Sequence, residues 1–167
     1  MTSFSHQVIS TYGVLMKKAS NKDIDEAWID WALEMIHAGY ESDNLYILAG
    51  ISGPYNQFEL QKLTDKVLVD FDLCYEDKLQ VMRNYIYYLI SSTKSEPSKY
   101  LSTLKEIKDI CIDLDMEKEY MDFYLLYYAK DELNESEVQW YWDGADRTNI
   151  DIIIRNAFQD YLDKMVR

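Results

Sequence analysis

Apolar positions recur every three to four residues along most of this chain, the spacing that lays one face of an α-helix against a core. From Phe4 to Lys18, Val8, Ile9, Tyr12, Leu15 and Met16 share a side, with Gly13 a weak point. The stretch SNKDIDEAWIDWALEMIHAG predicts a second helix. Ser20 or Asn21 is placed to cap it, and Asp23, Asp25 and Glu26 put negative charge where the helix dipole favours it. Gly39 supplies a left-handed stop. This helix is apolar round most of its circumference, with Ile24, Ala27, Trp28, Trp31 and Met35 on one side and Ile29, Ala32, Leu33 and Ile36 on another. Only Glu26, Asp30 and Glu34 form a polar stripe, a pattern expected at the centre of a bundle.

Further helices follow. SDNLYILAG begins at Ser42 or Asp43 and ends at Gly50, before the Gly-Pro break in ISGPY. A fourth helix has Asn56 as cap and Leu60, Leu63, Val67, Leu68 and Phe71 inward. A fifth presents Leu79, Met82, Ile86, Leu89 and Ile90. The sixth opens with Pro97 in its first turn and turns Leu101, Leu104 and Cys111 inward, with Ile107 or Lys108 between them. EKEYMDFYLLYYAKDEL is a seventh, and SEVQWYW reads as a helical turn. In the last segment Thr148 and Asp151 have capping-box spacing. IDIII there resembles a strand, but Ile150, Ile154, Ala157, Phe158, Tyr161, Leu162 and Met165 continue a helical face too long for one.

No 20- to 50-residue period recurs, and no linker or low-complexity run divides the chain. The expectation is one all-α domain over residues 1–167, an irregular bundle of about seven to eight helices with loops too short for a large lid. Five glycines and two prolines are too few for the turns of a sandwich or barrel. A domain of 167 residues buries roughly 70% of its unfolded surface, so neither metal nor disulfide is required for stability. The two cysteines, Cys74 and Cys111, lie far apart within apolar patterns and read as buried free thiols. No basic start with a continuous apolar run marks a signal peptide, and no apolar segment approaches the ~20 residues that span a bilayer. A cytoplasmic protein without membrane contact is expected.

Charge narrows the partners. Seventeen basic and 30 acidic residues leave a net −13, which repels phosphate backbones and attracts basic proteins. The Glu34–Gly50 stretch has the outline of a DNA-reading helix-turn-helix, but its second helix holds no Lys or Arg, so two packed core helices are the better reading. Glu34 and His37 form one Glu-x-x-His pair, whereas a dinuclear carboxylate site needs two such pairs and the other histidine, His6, follows Ser3 at that spacing. Asp143, Asp146 and Asp151 near Gly144 lack the alternating ligands and closing glutamate of a calcium loop. No nucleophile elbow, P-loop or dinucleotide fingerprint occurs. Catalytic residues, metal ligands and cofactors are therefore not assigned.

One segment stands out. Asp109 to Asp146 holds twelve acidic residues against Lys118 and Lys130, a local −10 in 38 residues. It also carries Tyr120, Phe123, Tyr124, Tyr127, Tyr128, Trp140, Tyr141 and Trp142. On the seventh helix Met121, Leu125 and Tyr128 form one row, with Tyr120, Tyr124, Tyr127 and Asp131 beside it. A core needs one row. The second is either packed tyrosine with its hydroxyl at the surface or a binding face, since Tyr and Trp supply large rigid contact area and carboxylates select cationic partners. The expected face comprises Tyr124, Tyr127, Asp131, Glu135, Trp140, Trp142 and Asp143, with Gln139–Gly144 as its rim.

WALEMIHAGYESDNLYILAG, Trp31 to Gly50, resembles a segment of small helical bacterial proteins of uncharacterised function, with the pattern G-x-[DE]-S-x-x-L-x-x-L-A-G and then a Phe-Glu helix, here YNQFEL. The resemblance covers about thirty residues. It implies a fold and carries no catalytic residue. Together these readings favour a non-enzymatic protein-binding domain, of which an immunity-type inhibitor facing a basic, nucleic-acid-targeting toxin is the most concrete form. A helical adaptor or homo-oligomer using the same aromatics is the alternative. An enzyme with a carboxylate pair drawn from acids such as Glu26, Asp30 or Glu34 is a third.

Overall fold

Three of the first four helices start on a side chain that takes one of their orphan N–H groups. In a computed structural model, which describes residues 6–166, the described chain is all helical, with eight α-helices, two 3₁₀ turns and no strand. The residues group into two compact units, 6–85 and 86–166, the division falling inside the fifth helix.

The first unit contains α1 (Thr11–Ala19), α2 (Glu26–His37), α3 (Asp43–Ala49), α4 (Gln57–Asp70) and the start of α5 (Lys78–Thr93). Asp25 accepts from the Ala27 N–H, Ser42 from Leu45 and Asn56 from Glu59, so α2, α3 and α4 are side-chain capped. At the end of α2, Gly39 has φ +95°, and the Gly39 and Tyr40 amides return to the Ile36 and Met35 carbonyls. Other helices end the same way without glycine. Asn21 and Asp72 (both φ +54°) and Asp115 (φ +55°) take the left-handed position after α1, α4 and α6 (Tyr100–Asp113). Short polar side chains tolerate that conformation, which is how five glycines suffice.

Two predicted boundaries move. Asn21 does not cap α2; it closes α1, and the Lys22 amide reaches back to the Lys17 carbonyl. Ser20 is the α1 C-cap. Residues 20–25 cannot be helical, because Gln57 takes both backbone groups of Ile24 (2.7 and 2.8 Å) and Gln61 donates to the Lys22 carbonyl. The first helix starts at Thr11; the part of its expected span at residues 4 and 5 lies outside the described residues. His6 Nδ1 accepts from the Val8 amide (2.9 Å) and lies 3.2 Å from the Thr11 hydroxyl, which in turn accepts from buried Trp31 Nε1 (2.9 Å). These bonds hold residues 6–10 in a turn.

Trp28 and Trp31 meet edge to face at 5.6 Å, and Met35, Leu45, Leu48, Val67 and Leu68 complete a buried cluster. Of the two apolar sides foreseen for α2, Ala27 and Leu33 are exposed, so the helix is buried on one broad face. Lys18 is buried here. Its ammonium reaches Asp65 (3.0 Å), the Gln61 carbonyl (3.0 Å) and Gln61 Oε1 (2.8 Å), which uses all three of its protons. Tyr75 donates to the same Asp65 (2.8 Å), and burial with that carboxylate pushes its pKa up to about 12. Cys74, expected in the core, is exposed, because α4 has already ended and the residue lies on the following turn. Leu79, expected inward on α5, is 45% exposed.

The second unit comprises the rest of α5, a 3₁₀ turn at Pro97–Lys99, α6, a 3₁₀ turn at Lys118–Tyr120, α7 (Met121–Glu135) and α8 (Ile150–Val166). Its core is aromatic. Phe158 meets Tyr100 edge to face at 5.4 Å, while Phe123 sits 5.7 Å from both Phe158 and Tyr161. The IDIII segment is helical, with Ile150, Ile154, Phe158, Tyr161 and Leu162 buried. The expected Thr148–Asp151 capping box is absent. Asp146 takes the Thr148 and Asn149 amides ahead of α8, and Asp151 instead pairs with Lys130 at 2.7 Å.

Two outcomes follow from this geometry. Gly39→Ala should lower stability by about 1–2 kcal/mol in urea denaturation, because a Cβ opposes the left-handed conformation. The second concerns pH. Burial, partly opposed by the Val8 hydrogen bond, lowers the pKa of His6 below its ordinary 6.5, so the fold favours the neutral ring. Its contribution is therefore fully present above pH 6.5 and declines as pH falls through the folded value. Denaturation at pH 7.5 and 5.5 should show this loss, and His6→Ala should reduce the difference.

Candidate functional site

α7 buries Phe123, Leu126, Ala129 and Leu133, a single stripe at helical spacing. Neither of the two rows expected from the sequence, Met121–Leu125–Tyr128 or Tyr120–Tyr124–Tyr127–Asp131, is that stripe. Tyr120 is buried, but from the 3₁₀ turn before the helix. Tyr124, Leu125, Tyr127 and Tyr128 are half-buried along the flank.

Those tyrosines form a connected cluster. Tyr128 packs edge to face against Tyr124 (5.0 Å) and Tyr127 (5.1 Å), and stacks on Tyr141 at 5.2 Å. Lys108 of α6 lies 4.9 Å from the Tyr127 ring centre and 5.9 Å from that of Tyr128. Its ammonium also pairs with Asp109 at 2.8 Å, and that hydrogen bond leads the effects raising its pKa. Part of the aromatic face is thus already occupied by a cation of the same unit.

Residues 136–149 make the longest connection between the described α-helices, with bends and turns where SEVQWYW suggested a helical turn. The chain leaves α7 at Ser136 in an extended conformation. Gln139 then organises the loop. Its Oε1 accepts from the Tyr141 and Trp142 amides, both at 2.8 Å, and its Nε2 donates to the Trp142 and Ala145 carbonyls. Gly144 turns the chain at φ +80°. Arg147 Nε donates to the Leu133 carbonyl at 2.8 Å, and Tyr141 rests on Tyr128, so both loop arms are tied to α7.

The result holds Trp140 out in solvent. It is 87% exposed, although its neighbours Gln139 and Tyr141 are fixed on either side. Together with Asp131, Glu132, Glu135, Ser136 and Val138 it lines a shallow groove of about 370 Å³. Of the seven residues expected at a binding face, Asp131, Glu135 and Trp140 meet in this groove, while Tyr124 and Tyr127 belong to the tyrosine cluster. Trp142 lines a different recess of about 440 Å³, with Phe123, Asp160, Tyr161 and Lys164 among its walls. Asp143 is exposed in the turn before Gly144. Tyr128, Glu132, Val138 and Lys108 were not assigned to the expected face, and Tyr141 entered it only within the Gln139–Gly144 rim. Tyr128 falls one helical turn after Tyr124, a signal that was present; the return of Val138 over the α7 terminus was not legible.

Elsewhere the candidate chemistry is dispersed. Glu26, Asp30, Glu34 and His37 are all exposed on α2, and Glu34 accepts from the Ser10 hydroxyl. Among the described residues no three His, Cys, Asp or Glu side chains are grouped so as to hold a metal ion. No described helix is long and apolar enough to cross a membrane. No family model, curated protein or solved structure matches this chain.

Proposed function

We propose that this chain is a non-enzymatic protein-binding domain that docks a basic protein through the surface around Trp140, acting as an immunity-type inhibitor. The observation that carries the reading is an indole 87% exposed on a loop held by side-chain hydrogen bonds. Burying that ring against a partner releases a large apolar area with little further ordering, the character of an interface hot spot. The surrounding segment holds a local charge of −10, which steers a cationic surface toward it.

An enzyme that attacks nucleic acid presents a basic substrate surface. An acidic, aromatic plug of this kind can cover that surface and exclude the phosphate backbone. The twenty residues from Trp31 to Gly50, with their cap at Ser42 and stop at Gly39, serve the fold under this reading and make no part of the docking surface.

The test uses the products of genes flanking its own as probes. One of them should bind the chain, lose its toxicity on co-expression, and associate more slowly as salt rises. Trp140→Ala should weaken that complex by about 2 kcal/mol, roughly thirty-fold. Light scattering at two concentrations should find the free chain monomeric. A complex whose contacts avoid residues 109–146, or a stable dimer that buries Trp140, would overturn the proposal.

A further inference from the structure

We infer that the recess beside Trp142 binds a free aromatic amino acid, its ring over Ala157 and its ammonium and carboxylate among the facing charges of α7 and α8. This site is separate from the docking surface around Trp140 and does not depend on it.

The hollow has a cause in the sequence. Ile153, Ala157, Tyr161 and Met165 follow one another at four-residue spacing and form one row along α8, all of it lining the recess. Ala157 is the one small member of that row. Its missing bulk opens a space of about 440 Å³, within the size range of small-molecule sites. Phe123 and Tyr161 meet edge to face at 5.7 Å and are almost wholly buried, which gives the recess an aromatic base. Trp142 is half-buried and stands on the loop that Gln139 holds through the Trp142 amide and carbonyl. A hollow bounded by aromatic side chains takes a flat ring through stacked or edge-to-face contacts.

Helix register then orders the charges. α7 and α8 run antiparallel, because Lys130 pairs with Asp151 near one end while Tyr120 lies 6.2 Å from Tyr161 near the other. Phe123, between them, meets both Phe158 and Tyr161. That register sets Asp122 level with Asp160, and Lys118, in the turn leading into α7, level with Lys164. All four line the recess and reach solvent. On α8 the acid and the base are one turn apart, about 5–6 Å between Cβ atoms. From Trp142 outward the order is therefore an aromatic hollow, two carboxylates and two ammonium groups. This order beside a hollow sets the four apart from other exposed charges of the chain.

The order selects the ligand. An α-amino acid carries a ring, an ammonium and a carboxylate within the length of one residue, so each group meets a surface of matching character. A polyanion such as a nucleotide is opposed by Asp122, Asp160 and the nearby Glu119. A residue inside a peptide carries neither charge, and a terminal residue carries only one.

The experiment titrates the full chain with L-phenylalanine, phenylalaninamide, N-acetyl-phenylalanine and L-alanine, following the Trp142 indole N–H signal by NMR. L-Phenylalanine should move that signal saturably. The amide keeps only the ammonium and the N-acetyl compound only the carboxylate, so each should bind several-fold more weakly. L-Alanine, without a ring, should leave the signal unmoved. Ala157→Leu should fill the hollow and abolish the response to L-phenylalanine, with helicity retained by circular dichroism. Should that variant fail to fold, two exposed positions decide. Lys164→Gln should weaken L-phenylalanine about two- to five-fold and leave phenylalaninamide unchanged or tighter. Asp160→Asn should weaken it similarly and leave N-acetyl-phenylalanine unchanged or tighter. The inference is overturned by the lack of a saturable shift with L-phenylalanine, L-tyrosine and L-tryptophan, or by charge variants without effect. Binding of the amide or the N-acetyl compound as tight as that of the amino acid would also overturn it, and would mark a peptide terminus as the ligand.

Discussion

Phe123 packed between Phe158 and Tyr161 sets the orientation of α7, and the character of the surface depends on that orientation. With Phe123 inward, helical geometry also sends Leu126, Ala129 and Leu133 inward. Tyr124, Tyr127 and Tyr128 then fall on the flank, where their rings cover each other and their upper edges meet solvent. A rotation of one residue position would bury tyrosines and expose phenylalanine. The aromatic core of this unit and its aromatic surface are therefore two consequences of one contact.

One site in each unit shows a contrasting charge arrangement. In residues 6–85 the ammonium of Lys18 lies in the interior with all three protons bonded, an arrangement that makes a buried cation tolerable. In residues 86–166 the last turn of α7 gathers carboxylates where backbone carbonyls already point, without a matching cation. The first arrangement is complete within its own unit, through two side-chain acceptors and one main-chain carbonyl. The second leaves carboxylates beside Trp140 at the surface, and the proposed docking draws on that arrangement.

Local chemistry was readable where one residue suffices for it. Gly39, Ser42, Asn56 and the helical reading of IDIII needed only neighbours within a turn or two. Expectations failed where a distant group competed. Asn21 could cap one helix or close another, and Gln57 and Gln61 decided between them by taking the backbone of residues 22 and 24. Asp151 had capping spacing, but Lys130, twenty-one positions earlier, held its carboxylate instead. Cys74 read as core because its apolar context was continuous in sequence, although the helix that would have turned it inward stops at Asp70.

The sequence by itself determined an all-helical chain, its main stops and caps, and a segment where acidic and aromatic residues are concentrated. Those properties depend on composition and on spacings of three or four residues, which are local. Only the tertiary structure decided which stripe of α7 is buried, that Trp142 parts from Trp140, and that Val138 and Trp140 return beside Asp131 and Glu135. Such groupings arise from chain reversal at Ser136 and from the Gln139, Tyr141 and Arg147 contacts, which join positions with no fixed spacing along the chain.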